Sequence, residues 1–161
     1  MSETATTLSV QMLVALEAIL RGGALCGALD ITAAFIVYGY FGAKPLRLLQ
    51  GIASGLLGSR AYDGGPLTAL VGLCLHFFIA FTASSVYVLL SRRVSLLGQY
   101  VYVSGALYGV AVYFFMQYIV IPLSAASRPP FSLKMMVIGV IIHIFCVGLP
   151  ISLVTRRYLN T

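Results

Sequence analysis

The stretch Gly64-GPLTALVGLCLHFFIAFTASSVYVLL-Ser91 carries no charged residue. A helix rises 1.5 Å per residue, so about 20 apolar residues suffice to cross about 30 Å of hydrocarbon. The run is continuous rather than alternating, which argues for a helix and against a strand of a membrane barrel. Three more intervals read the same way: Gly22–Ala43, whose one charge is Asp30, and the uncharged Val94–Ser127 and Met135–Thr155. The spacing predicts four transmembrane helices near 22–42, 66–90, 100–122 and 134–155. The expected fold class is an all-α membrane protein, a four-helix bundle forming one integral membrane domain over 1–161.

Composition agrees. Of the 161 residues, 60% are apolar and 9% charged, against about 45–50% and about 25% in soluble domains. Mean hydropathy is +1.01. A water-soluble globule of this size could not hide that apolar surface, and a disordered chain needs the opposite balance. The formal charge is +6, but the bases stand as singles and doublets at the ends of apolar runs. That placement suits the lipid bilayer and its anionic headgroups rather than nucleic acid. Cys26, Cys74 and Cys146 lie inside apolar segments without a C-x-x-C spacing, so they read as small apolar residues. Met1-Ser2-Glu3 lacks a basic n-region, and no cleavable signal is expected.

The connections differ. Leu8–Leu20, with Glu17 and Arg21 at i,i+4, is either an interfacial helix or a plain extension of the first span. In Lys44–Gly65, Pro45 suits a helix start. Leu46, Leu49, Ile52, Ala53, Leu56 and Leu57 then fall on one side, with Arg47, Gln50, Ser54 and Gly58 on the other. This predicts an amphipathic interfacial helix lying in the membrane surface, with a re-entrant segment as a weaker alternative. The later connections are Ser91-Arg92-Arg93 and Ser124–Ser132, where Arg128-Pro129-Pro130 interrupts any helix. Arg21, Arg92, Arg93, Arg156 and Arg157 share one end; Lys44, Arg47, Arg60, Arg128 and Lys134 share the other. Five bases against five leave the orientation undecided by charge. The two arginine doublets abutting span ends favour both termini in the cytoplasm.

The halves resemble each other. Gly72-x-x-x-His76 in the second span matches Gly139-x-x-x-His143 in the fourth, each with a Phe two residues on, and both helices run into Arg-Arg. Gly23-Ala24-Leu25-Cys26-Gly27 matches Gly105-Ala106-Leu107-Tyr108-Gly109, and both odd spans lead into Pro-Leu. A tandem duplication of a two-helix hairpin follows, with repeats 22–93 and 100–157. An axis along the membrane normal would relate them. The Gly-x-x-x-Gly pairs are expected close-packing faces.

Asp30, His76 and His143 all fall within one or two turns of the midplane of their spans. A carboxylate there costs about 3 kcal/mol on insertion scales, so Asp30 should face the interior and either pair, a histidine being the obvious partner, or stay protonated. Gln117 and Tyr118 lie nearer the outer end of the third span and line a possible approach. Three readings compete for this polar centre. It fixes packing, or it serves a small transport or proton-linked role, or His76 and His143 hold a haem or, with Asp30, a divalent metal. No phosphate-binding loop and no Gly-x-Ser-x-Gly appears, and no connection is long enough for a catalytic domain, so enzyme chemistry is poorly supported. A homo-oligomer, or a structural or assembly role beside a membrane-complex partner, fits a bundle too small to enclose a wide path.

The chain resembles small bacterial inner-membrane proteins of unknown function, the YagU-like family. The residues that carry the likeness are Lys44-Pro45-Leu46-Arg47, His76-Phe77-Phe78-Ile79-Ala80-Phe81, Gly105-Ala106-Leu107, Ile121-Pro122-Leu123 and Ile138-Gly139 with His143. The resemblance implies four spans, a bacterial inner membrane location and no assigned activity.

Overall fold

A computed structural model describes residues 2–127 and 130–159, the side chains from Val10 to Tyr158 among them. Arg128 and Pro129, on which the expected interruption of the third connection partly rests, lie outside the described residues. The described chain is helical and contains no strand. Four helices are long and apolar enough to cross a membrane: Val10–Tyr40, Gly65–Ser91, Val101–Leu123 and Leu133–Tyr158. This is a multi-pass membrane architecture.

The first helix, α1, runs unbroken over Ser2–Tyr40. The segment 8–20 therefore extends the span rather than forming a separate interfacial helix, and the expected start at 22 is corrected to a span beginning by Val10. Nothing from Leu8 to Arg21 interrupts it. There is no proline, and Arg21 and Glu17 pair along the helix at 2.6 Å. Ala15 and Ala18 bury against Val88, with Ile19 and Tyr158 alongside. Gly42, at φ 87°, ends the helix region. Lys44 is extended, as a residue before proline must be, and Pro45 opens α2, Pro45–Leu57. A 3₁₀ turn over Gly58–Tyr62 leads to α3, Gly65–Ser91. After Arg92-Arg93 comes a short helix, α4, Ser95–Gln99. Then follow α5, Val101–Leu123, and α6, Leu133–Tyr158. Each of the last two contains a π-helical segment, Met116–Val120 in α5 and His143–Gly148 in α6. Ser132 caps α6 by accepting from the Met135 amide at 3.4 Å.

The interior is built from small residues. Ala15, Ala18, Ala53, Ala61, Ala69, Ala80 and Ser84 are buried, whereas Leu25, Ile36, Leu70, Phe78, Leu107, Ile141 and Phe145 face outward. Lipid is as apolar as leucine, so helices associate through close backbone approach instead of by hiding leucines. Side chains added at Gly23 and Gly27 would strike Phe81 and Phe77 of α3. One added at Gly105 would strike the Ser152 side chain of α6 beside the Gly148 carbonyl, and one added at Gly109 would strike the α6 backbone at His143–Ile144. The two Gly-x-x-x-Gly pairs are thus the contact faces inside the two hairpins. α3 and α5 meet instead through long side chains: Tyr108 donates to the Ala83 carbonyl at 2.6 Å, and its ring meets Tyr87 at 4.9 Å.

α2 turns polar residues toward the rest of the protein. Gln50, Ala53 and Ser54 are buried against the protein, while Leu46, Leu56 and Leu57 are exposed. Gln50 donates through Nε2 to the Gly65 carbonyl at 3.1 Å. Leu49 and Ala53 lie on Gly72 so closely that no side chain fits there. The small and polar face packs on α3, and the leucines are left for the apolar surroundings.

Candidate functional site

Asp30 is half-buried on α1, and together with His76 of α3 and His143 of α6 it lines one cavity of about 280 Å³. Gln117 lines it as well. Each arrives by local logic. α1 has no other charge between Gly22 and Tyr40, and its Gly23–Gly27 face brings α3 close. That approach lets the His76 ring reach across, with Nε2 donating to the Gly27 carbonyl at 2.9 Å. His143 opens the π-helical segment of α6 and donates through Nδ1 to the Gly139 carbonyl of its own helix, also at 2.9 Å. A carbonyl can only accept, so these bonds require hydrogen on His76 Nε2 and on His143 Nδ1. The Tyr113 ring stands edge-on to His143 at 5.3 Å.

The expected Asp30–histidine pair does not form. No hydrogen bond or ion pair links Asp30 to either ring; the acid that pairs is Glu17, with Arg21. The reason is geometric: helix carbonyls at 2.9 Å take the ring hydrogens. Among the described residues Asp30 has no hydrogen-bond or ion-pair partner, and it lines the cavity. Cys26 and Tyr38 line the same cavity. Nor does the cavity gather a ligand set: no group of three His, Cys, Asp or Glu among the described residues is placed to hold a metal ion. The metal alternative, which needed Asp30 and both histidines together, has no such cluster to rest on.

A second, outer chamber of about 530 Å³ adjoins the first. Tyr38, Tyr113, Gln117 and Ile121 line both chambers, while Tyr118, Phe131, Ser132, Met135 and Met136 line only the outer one. Gln117 therefore stands between the two, and Tyr118, 63% exposed, at the entrance. This chamber lies toward the end of the bundle that carries Lys44 and Lys134. Toward the arginine end the inner cavity stops at Cys26, Ala83, Val112 and Val147, which pack with Tyr87, Tyr108 and Ile151.

Behind that seal lies a polar layer that the sequence does not announce. Tyr87 is 1% exposed and donates to Ser104 Oγ at 3.3 Å; Ser104 donates to the Tyr100 carbonyl at 2.7 Å; Ser84 and Ser152 are fully buried beside them. Serines and tyrosines are ordinary in membrane helices, and only burial separates these from those facing lipid. Compared with family models, with curated proteins and with solved structures, the chain matches none of them.

Proposed function

We propose that the chain is a small proton-linked transport protein in which Asp30 is the group that takes and releases the proton. The observation that carries this is the position of Asp30: an unpaired carboxyl, midway along a bundle, lining a cavity that continues to one end of the molecule and is packed shut toward the other. Ionisable residues inside membrane bundles are expensive, so one kept without a partner but with access to a cavity is suited to cycle its proton. His76 and His143 line the same cavity and serve as relays between Asp30 and the outer chamber.

Two further features belong to this reading. The hairpins are duplicated copies, which is supported by matching contacts: Gly23 meets Phe81 and Gly27 meets Phe77 in one, while the corresponding Gly105 meets Gly148 and Gly109 meets Ile144 in the other. α2 is an interfacial helix, with Leu46, Leu56 and Leu57 turned to lipid at the level where α3 begins. The likeness of the motif residues to YagU-like proteins supports a bacterial inner membrane.

The test is proton flux in vesicles reconstituted with the full chain and loaded with a pH-sensitive dye. An imposed gradient should collapse faster with the protein than without it, and Asp30→Asn should return the rate to that of empty vesicles. An Asp30→Asn protein that folds and carries protons at the unmodified rate overturns the proposal.

A further inference from the structure

Resting on the proton-linked reading of Asp30, we propose that the two joined chambers bind an amphipathic organic cation, which leaves as Asp30 takes up a proton. Charge argues for the sign. Among the described residues Asp30 is the one acid lining either chamber, and no lysine or arginine lines them. Lys134, at the nearby start of α6, is turned to the Phe41 ring, with Nζ 4.8 Å from its centre. An anion would find no counter-charge inside among the described residues. A bare metal cation would need grouped oxygen or nitrogen ligands, and none of the described residues supply such a group.

The walls argue for the organic part. Tyr38, Tyr113, Tyr118 and Phe131 line the outer chamber, and the faces of such rings attract cations, quaternary ammonium groups above all. Met135 and Met136 add flexible, polarisable contacts that adapt to irregular apolar shapes. A volume of about 530 Å³ falls in the range of pockets for drug-sized ligands. The cation would rest against the rings and project its charge past Gln117 toward the Asp30 carboxylate.

Charge balance links the two ligands. The titratable groups facing Asp30 are Cys26 and Tyr38 on α1, His76 on α3, Tyr113 on α5, and His143 and Cys146 on α6. α2 contributes only Leu48 and Ile52. Asp30 is the acid that lines the cavity, so the organic cation and the proton compete for a single carboxylate. A proton arriving on Asp30 removes the attraction, and the cation departs.

The experiment measures binding to the purified full chain in detergent by equilibrium dialysis, with tetraphenylphosphonium as probe and tetraphenylborate as an anion of the same shape. Phosphonium should bind saturably at about pH 8 and about tenfold more weakly at about pH 3, where carboxylates are protonated. Borate should not bind saturably. Asp30→Asn should abolish phosphonium binding and Asp30→Glu should retain it, both with unchanged helicity and elution. Tyr38→Ala and Tyr118→Ala should each weaken it about threefold to tenfold, with the phenylalanine variants close to the parent protein. Equal binding of borate, or full affinity in a folded Asp30→Asn protein, overturns the proposal. Asp30-dependent proton flux without phosphonium binding overturns the cation site and leaves the proton role standing. Asp30-dependent phosphonium binding with no proton flux in vesicles supplied with phosphonium overturns the proton role, and with it the exchange, while leaving the cation site.

Discussion

The side chains at the centre of the bundle do different work although they share a cavity. His76 ties α3 to α1 through the Gly27 carbonyl, whereas His143 bonds within its own helix. A hydrogen bond of this kind contributes about 0.5–1.5 kcal/mol. His76→Phe should therefore lower unfolding stability in detergent by about 1 kcal/mol, measured by denaturant titration, and His143→Phe should lower it by less. Equal losses would mean that the cross-helix bond carries no special weight. Asp30 is legible in the sequence because a lone charge in an uncharged run has few explanations. Its lack of a histidine partner is not legible, because the competing acceptors are backbone carbonyls, which every residue possesses. The residue pattern puts Gln50 on the exposed face of α2, yet it is 1% exposed, with Oε1 lacking a partner. An amide can pack inward whenever a neighbouring helix offers groups such as the Gly65 carbonyl and Thr68.

At the level of elements, close approach is the organising force. The α5–α6 crossing depends on Gly109 meeting the backbone at His143–Ile144, while nothing lies within 4 Å of a side chain added at Gly39. Gly109→Leu should lower the thermal midpoint sharply, because backbone cannot yield as a side-chain tip can. Gly39→Ala in α1 should be neutral or stabilising by up to about 1 kcal/mol. Thermal unfolding of the detergent-solubilised proteins distinguishes the two. Gly72→Val should displace α2 from α3 by colliding with Leu49, and hydrogen exchange should then rise over 45–62 while α1 stays protected. The helical spans are readable from unbroken apolar runs. The faces of α2 are not, since amphipathicity separates polar from apolar residues without saying which side meets protein. The π-helical segments at Met116–Val120 and His143–Gly148 have no marker in residue type; they sit where α5 and α6 line the cavity, and such segments recur at functional sites.

The whole molecule is an inside-out globule: small and hydroxyl-bearing residues within, leucines and phenylalanines around the outside. That arrangement suits a lipid surround. Its cavities are asymmetric, open toward Lys44 and Lys134 and packed shut beside Tyr87 and Tyr108. With Cys26, Cys74 and Cys146 replaced by alanine, a cysteine at Tyr118 should react with a membrane-impermeant thiol reagent from one side of oriented vesicles only. A cysteine at Ser152, 1% exposed, should react from neither side. Labelling of both positions would contradict the seal. The side that labels Tyr118→Cys also decides the orientation, which five bases at each end leave open.

By itself the sequence determined the membrane class, the four spans within a few residues at most of their ends, and Asp30 as the charge out of place. These follow from composition and runs, because the cost of placing charge in hydrocarbon arises residue by residue and does not depend on which helix lies beside which. Only the tertiary structure decided that α1 continues unbroken from the N-terminal segment, that α2 packs its polar face inward, and that Asp30, His76 and His143 share a cavity without pairing. Those outcomes rest on packing, and packing between apolar helices is settled by where glycines let backbones meet and by which carbonyls then come within reach.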